Sequence, residues 1–589
     1  MESILRTPDV ICVQENAREW SETLGIADTR VSSNDVCVET KLTTDNTLAV
    51  SVTADTTPVK LIKLRWNFRK MLGGDIKILG DQWERGYGTM GWRSIEPYRH
   101  MPWYFLVEET RGEFNTMTGC GVKVRPGAMC FWQLDPMGVT LWLDIRCGGD
   151  GVILNGRRLS ACEVVFRMYS NVSAYVFGRA FCKDMCPDPK LPSAPVYGSN
   201  NWYYAYGESS REDIIEDTKL LSALTEGLSN RPYMVIDDCW QYFRCPDYIG
   251  GPWVPNKKFG DMETLAAEIS DLGCKPGLWV RFLLERSADI PDSWKLYGTT
   301  KGVGMNLSAR LNSEALANGE TPWERYGADK ESFVLDPSVP EVLEHIKEDI
   351  RRVCGWGYKL IKHDFTTFDL FGRWGFQMQP LVTPDGWHFA DQSRTSAEIV
   401  VALYTAIWEA ASEFDAVVIG CNTIGHLGAG LMQVSRTGDD TSGKVWETSW
   451  RMGANTLAFR QIQHGTFFHC DADCVGVTPK IPWFLNRYWA GLLANSGTVF
   501  FASMDPAAVT EENEAELKEF FAQASEQKYV AEPVDWQSNN MPQHWRTSTE
   551  IPGQTRDLFF NWYESTGLRM PVDHSIRMNG LDPEKFFNE

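Results

Sequence analysis

From residue 1 to about 190, apolar and polar positions alternate in short runs such as Val36-Cys37-Val38-Glu39-Thr40 and Thr47-Leu48-Ala49-Val50-Ser51-Val52, bounded by Asp, Asn, Gly and Pro. A period of two puts one face of each run into a core and the other into water, so these read as half-buried strands. With hardly a helical stretch among them, the segment predicts a β-sandwich. Residues 182–192 then bring three prolines, at 187, 189 and 192, and read as an interdomain linker. Beyond it, short apolar runs alternate with amphipathic stretches. The runs predict strands at 196–200, 233–238, 276–283, 359–364, 416–421, 432–436, 465–470 and 497–502, and the stretches predict helices such as 211–226 and 340–354. About eight strand-then-helix units, with no Gly-rich dinucleotide fingerprint after any strand, favour a (β/α)₈ barrel over an open doubly wound sheet. From about 510 an acidic helix, 510–526, leads into short β-like runs. The expected architecture is therefore multidomain α/β and β: an N-terminal β-sandwich (1–190), a TIM-type barrel (191–510) and a small C-terminal helix and β-region (511–589).

Composition narrows the class. At 43% hydrophobic and 23% charged residues the chain is an ordinary globular protein. Its 78 acids against 57 bases leave a net charge of -21 with no basic block, which argues against a nucleic-acid partner. The start of the chain lacks the order of a signal peptide and no apolar run reaches membrane-spanning length, so a soluble, cytoplasmic protein with reduced thiols is expected. The 24 Trp, several beside Gly, Asp or Arg, include candidates for flat platforms against sugar rings, although most Trp in a large protein belong to its core.

In a barrel of this kind the site lies at the C-terminal ends of the strands. Those ends are acidic here: Asp237-Asp238 after the second strand, Lys362-His363-Asp364 at the fourth, Arg436 through Asp439-Asp440 after the sixth, and Asp471-Ala472-Asp473 ending the seventh. Carboxylates mixed with Lys362, Arg436 and Trp suit a neutral polyhydroxylated ligand, because a carboxylate accepts from two adjacent hydroxyls. Each Asp could instead cap the following helix. A metal cluster of Asp237, Asp238, His363 and Asp364 is a further alternative, without the spacing of known metal motifs. Gly-x-Ser-x-Gly is absent, and Cys239 and Cys421 have no evident His partner. Two carboxylates about 5–5.5 Å apart hydrolyse a glycoside with retention and without cofactor, one as nucleophile and one as acid and base. Asp364 suits the nucleophile, with Lys362 two residues earlier on the same strand face keeping it ionised. Asp440 or Asp439 suits the acid, a like charge next door raising one of the pair.

These residues also carry a resemblance to the retaining α-galactosidase and α-N-acetylgalactosaminidase clan, chiefly glycoside hydrolase family 36. Val235-Ile236-Asp237-Asp238-Cys239-Trp240 resembles the clan's motif whose aspartates bind the O4 and O6 hydroxyls of galactose. The run from Phe333 to Val342 followed by Lys359-Leu360-Ile361-Lys362-His363-Asp364 resembles the approach to the family's Lys-x-Asp nucleophile. Arg436 to Thr441 is similar to the acid/base motif, whose Arg precedes the acid by four positions, which selects Asp440. The resemblance implies sugar contacts from Asp237, Asp238, Lys362, Arg436, Trp202, Trp279, Asp439, Cys421 and Asn422. It also implies one from Trp83 in Asp81-Gln82-Trp83-Glu84-Arg85-Gly86-Tyr87, a sandwich motif that reaches over a barrel mouth, often a neighbouring subunit's, and so favours a homo-oligomer. At the fifth strand the family's Cys and glycines give way to Cys421-Asn422-Thr423-Ile424-Gly425-His426, where Asn422 could bond a 2-hydroxyl or a 2-acetamido group. His363 stands where related chains carry Trp or Phe and is expected in the wall beside the nucleophile. The implied activity is exo-hydrolysis of terminal α-galactosides on an oligosaccharide or glycoconjugate, with no metal, cofactor, nucleic acid or membrane. The alternatives are an α-N-acetylgalactosaminidase, a galactosyl-transferring enzyme, a metal-dependent hydrolase and a catalytically silent carbohydrate-binding protein.

Overall fold

The computed structural model describes residues 1–15, 20–23, 30–33, 35–241, 253–285, 290–296, 333–378, 380–527, 529–548 and 555–564. Antiparallel sheets of six and seven strands form the N-terminal part. Their alternation is the one read from the sequence: Leu48–Thr53 buries Leu48, Val50 and Val52 and leaves the residues between them half-buried. The sheets share a core in which Trp66 stacks on Trp132, with Phe105 of the other sheet edge-on to Trp132 at 5.8 Å. One element departs from expectation. The linker residues Cys182 to Met185 close an α-helix, Ala174–Met185, capped by Ser173 accepting from the Val176 N–H, so the irregular connection starts only at Cys186. Phe177, Phe181, Cys182 and Met185 give this helix a buried face, and the prolines beyond it end it.

Eight parallel strands close the barrel: Tyr197–Asn200, Tyr233–Ile236, Lys275–Val280, Leu360–His363, Val417–Gly420, Val434–Arg436, His469–Val477 and Val499–Met504. Val235, Leu360, Ile419, Val434, Val499 and Phe501 fill its interior as a separate apolar cluster. Because side chains alternate along a strand, the residues two positions on, Asp237, Lys362, Cys421 and Arg436, project inward above this plug. The plug therefore sets the floor of the site. The seventh strand begins later than the sequence suggests, since Gln461–Gln463 is a 3₁₀ turn and the chain reverses through Gly465. Asp471 and Asp473 thus lie within the strand rather than after it, at a register shift where Asp473 takes φ +73°. Beyond the barrel, Glu511–Glu526 is helical and Val530–Pro533, His544–Ser548 and Thr555–Phe559 form a three-stranded sheet, while residues 565–589 of the expected C-terminal region lie outside the described residues. No described helix is long and apolar enough to cross a membrane.

The sandwich is fastened to the barrel by the segment after its strand Asp75–Gly80. Asp81 forms a buried ion pair with Arg460 at 2.9 Å and accepts from Gln463 at 3.0 Å. The Arg460 guanidinium also reaches the Glu84 carbonyl on the sandwich side and, at 3.4 Å, the Thr437 carbonyl on the barrel side. Gly86 then pairs with Gly438 as one rung of parallel sheet, the Gly86 N–H donating to Thr437 at 2.8 Å and the Asp439 N–H to Gly86 at 2.9 Å. This rung admits only glycine. A Cβ on Gly86 would lie 2.9 Å from Thr456 Cγ2, and one on Gly438 2.3 Å from the Met452 carbonyl oxygen. Arg460→Leu leaves Asp81 buried without its cation and is expected to destabilise the protein by about 3–5 kcal/mol, as measured by denaturant titration.

Several histidines are buried neutral. Burial pushes His363, His426 and His469 down to about 4, 3 and 4, and neither ring nitrogen of His363 has a hydrogen-bond partner among the described residues. The folded values lie below the ordinary 6.5, so the unfolded chain binds these protons first. Their contribution to stability is complete above pH 6.5 and is lost as the pH falls from there toward 4. His363→Phe is expected to flatten that decline by on the order of 3 kcal/mol in melts recorded across this range.

Candidate active site

The site is built at the C-terminal mouth of the barrel. Lys362, buried, donates to Asp237 Oδ2 at 2.7 Å, and Asn200 Nδ2 donates to the same oxygen at 2.6 Å. Burial works against the Lys362 charge, but Asp237 outweighs it and holds the ammonium well above its ordinary range. This corrects the expectation that Lys362 serves Asp364: from the barrel interior its ion pair runs to the second strand. Asp237 is further fixed by its own N–H on Asn201 Oδ1 at 2.8 Å, and Asp238 Oδ1 accepts from the Cys239 N–H at 2.7 Å and from Gln241 at 2.9 Å. The Asp237-Asp238 pair is thus locked from below and from behind.

Asp364, half-buried, has a donor on each oxygen: the Phe365 N–H on Oδ1 at 2.7 Å and the Trp279 indole N–H on Oδ2 at 3.2 Å. Two donors fix the orientation of the carboxylate. The Trp279 ring is buried between Trp253 and Phe365, so this indole acts on the carboxylate through its N–H. His363 is not in the wall beside Asp364. It faces the opposite side of the strand and packs on Tyr404 of the helix Ser396–Ser412 at 5.8 Å. The same orientation takes it out of the metal set considered with Asp237, Asp238 and Asp364.

On the other side of the mouth, Arg436 is buried and donates to Cys421 Sγ at 3.3 Å, to Asp440 Oδ1 at 3.2 Å and to the Gly438 carbonyl at 3.2 Å, with Asp473 at 2.9 Å. Asp473 also receives the Thr441 N–H at 2.7 Å and the Tyr203 hydroxyl, so the seventh strand holds the loop that carries Asp440. The Asp440 side chain is 41% exposed, open enough to meet a ligand. Arg85 enters from the sandwich of the same chain. It lies 2.8 Å from Asp439 and 3.6 Å from Asp440, and its guanidinium reaches Cys421 Sγ at 3.8 Å. The two neighbouring acids therefore share a cation. Cys421 stands between the two halves of the mouth: burial pushes its thiol up, the Asp364 charge adds to this, and Arg436 and Arg85 oppose it.

Two expected contacts are placed elsewhere. Trp83 is buried in the sandwich core, edge-on to Trp103 at 5.3 Å and to Phe131 at 5.9 Å, while the bends that follow it carry Arg85 to the mouth. Asn422 is buried with Nδ2 on Glu84 and Oδ1 accepting the Phe368 N–H at 3.0 Å, so its amide braces the sandwich loop. Glu84 in turn accepts from Tyr87 at 2.7 Å and from the Gly375 N–H at 2.7 Å, and burial pushes its carboxyl up. Trp202 remains half-buried at the end of the first strand, 5.9 Å from Tyr206. Glu84, Arg85 and Tyr203 are residues to which sequence reasoning assigns no individual role, and Asp473, read only as one of the acidic strand ends, is the partner of Arg436 and Thr441. The first two sit in the very motif in which Trp83 stands out.

No protein-family model and no curated protein sequence matches the chain. Solved structures do. An α-galactosidase from Thermus thermophilus in complex with p-nitrophenyl α-D-galactopyranoside superposes with a TM-score of 0.57 at 15% identity, over 89% of this chain and 96% of that one. A GH36 α-galactosidase from Geobacillus stearothermophilus in complex with raffinose gives 0.55 at 14% identity, over 92% and 80%. The α-galactosidase from Lactobacillus brevis gives 0.55 at 12% identity, over 92% and 77%. At these identities the likeness is one of fold, and the chain has the fold of the GH36 α-galactosidases: an N-terminal β-sandwich on a (β/α)₈ barrel.

Proposed function

We propose that the protein is an exo-acting glycosidase that hydrolyses terminal α-linked galactose-configured sugars by double displacement. The observation that carries the reading is the pairing, in one barrel mouth, of Asp364 with a donor on each oxygen and a half-exposed Asp440 beside two guanidiniums. Asp364 attacks the anomeric carbon, forming a glycosyl ester while the bond to the aglycone oxygen breaks, and that oxygen takes the Asp440 proton. Water then gives a proton to Asp440 and attacks the same carbon, and the Asp364 carboxylate leaves. The scheme draws on no metal or cofactor. Asp237 and Asp238 accept from sugar hydroxyls, and Lys362 and Arg436 hold the surrounding carboxylates in place, with Trp202 at the rim. Support for a carbohydrate substrate comes from the similar folds, which hold raffinose or a nitrophenyl galactoside. With Asn422 committed to Glu84 and Phe368, a plain 2-hydroxyl is the better substrate group than a 2-acetamido.

A panel of nitrophenyl α-galactoside, α-N-acetylgalactosaminide, α-glucoside and β-galactoside, together with raffinose, tests the reading. Cleavage of the α-galactoside is expected, with Asp364→Asn lowering turnover at least about 1000-fold on every substrate. Asp440→Asn is expected to lower turnover more on raffinose than on the nitrophenyl galactoside, because nitrophenolate departs with little help from an acid. Proton NMR of the first product should give the α-anomer, and the β-anomer would refute double displacement. Activity that survives Asp364→Asn overturns the assignment of the nucleophile, and binding without cleavage overturns the enzyme in favour of a carbohydrate-binding protein. Galactose found chiefly on another sugar rather than in solution identifies a transferase.

A further inference from the structure

Phe365, the residue after Asp364, stands at φ +61° and ψ 0°, left-handed backbone that a bulky side chain rarely adopts. Strain of this kind persists only where the surroundings over-determine it. Here it has a use, since the turn aims the Phe365 N–H at Asp364 Oδ1, 2.7 Å away. Its surroundings come chiefly from one place. Arg281, one residue past the third barrel strand, lies with its guanidinium 4.1 Å from the centre of the Phe365 ring. That guanidinium is fixed in plane by a two-pronged bond to Asp369, Nε to Oδ2 at 3.0 Å and Nη2 to Oδ1 at 2.6 Å. Both side chains are enclosed, at 2% and 0% exposure. Asp369 belongs to the helix Thr366–Phe371 that the strained residue starts, and its own N–H returns to the Phe365 carbonyl at 2.8 Å. The ring is closed in further by Trp374 at 5.5 Å and by Trp279, the residue whose indole holds the other oxygen of Asp364.

We infer that Arg281 and Asp369 are positioning residues for the carboxylate of Asp364: they clamp the Phe365 turn in its strained form, so that the third strand fixes both oxygens, one through Trp279 and one through the Phe365 N–H. The inference rests on the assignment of Asp364 as nucleophile. A buried ion pair that merely stabilised the helix would, when weakened, lower melting temperature and leave turnover of the folded fraction unchanged. A clamp on the nucleophile behaves differently. Ground-state binding through Asp237 and Asp238 is untouched, while the attacking oxygen loses its aim, so kcat falls and KM stays.

The test uses the full chain with Arg281→Lys, which keeps the charge but loses the planar fork, and Asp369→Asn, which keeps the shape, assayed on nitrophenyl α-galactoside beside the parent. The expected result, in variants that stay folded by circular dichroism, is that kcat drops by about 30-fold or more while KM stays within threefold. Turnover within threefold of the parent, or a rise in KM that accounts for the whole loss, overturns it. If these variants do not fold, Phe365→Gly is the second probe, because glycine takes the same φ without strain or a ring to hold. It should then restore folding and part of the turnover in the Arg281→Lys background, and failure of both counts against the clamp. Should the parent itself leave α-galactosides intact, the glycosidase reading fails, and the crystal structure of Asp369→Asn decides the clamp alone. A Phe365 turn that flips away from Asp364 upholds it, and an unchanged turn refutes it.

Discussion

Lys362 lies inside the barrel with its ammonium against Asp237, and the rest of the mouth is arranged around the need to balance charges that water cannot reach. Removing an ion from water costs several kcal/mol even after relaxation, and only close partners offset it. Asp237, Asp238, Asp364, Asp439, Asp440, Asp471, Asp473 and Glu84 crowd one end of one barrel. Lys362, Arg436 and Arg85 serve them from three directions, Lys362 pairing with Asp237 and the two arginines each reaching more than one acid and the Cys421 thiol. The division of labour is a consequence of this balance. Asp237 and Asp473 meet their cations in the buried part of the mouth, whereas Asp440, beside Arg436 and Arg85, stands at the rim with its side chain half in water.

Much of this is legible in the sequence because strand ends are legible. Short apolar runs that stop at Asp, Lys or Arg announce both the strand and the inward projection of the polar residues at its end, which is how Asp237, Asp364, Arg436 and Asp440 stand out. The features that stay hidden depend on pairings across distant segments. Lys362 faces two carboxylates at comparable strand positions, and periodicity does not say which it chooses. Trp83 is the conspicuous residue of its motif, yet it packs in the apolar core, while Arg85 and Glu84, equally buried, lie where Asp439, Asp440 and Asn422 supply their partners. The apolar pair Phe467-Phe468 precedes a strand that carries its own acids, so the pattern starts the seventh strand too early, ahead of His469. The helix Ala174–Met185 is disguised because its apolar residues sit beside prolines and cysteines that look like a linker.

Trp279 shows how few residues shape the surroundings of the Asp364 carboxylate. Its indole meets Asp364, its carbonyl accepts from Trp240, and its ring closes on Phe365, so the third strand reaches the fourth through side chains as well as through the ladder. Interior packing below and aromatic packing beside Asp364 thus act on the same few atoms.

The Gly86–Gly438 rung ties the sandwich to the loop that carries Asp439 and Asp440, leaving no room for a side chain on either side of it. In evolutionary terms this removes modularity from a chain that looks modular. A barrel of this kind cannot acquire a new sandwich by recombination unless the donor brings a matching glycine and an arginine at the same reach. Sequence drift on one side of the rung is therefore constrained by the other, and the two domains are expected to vary in step.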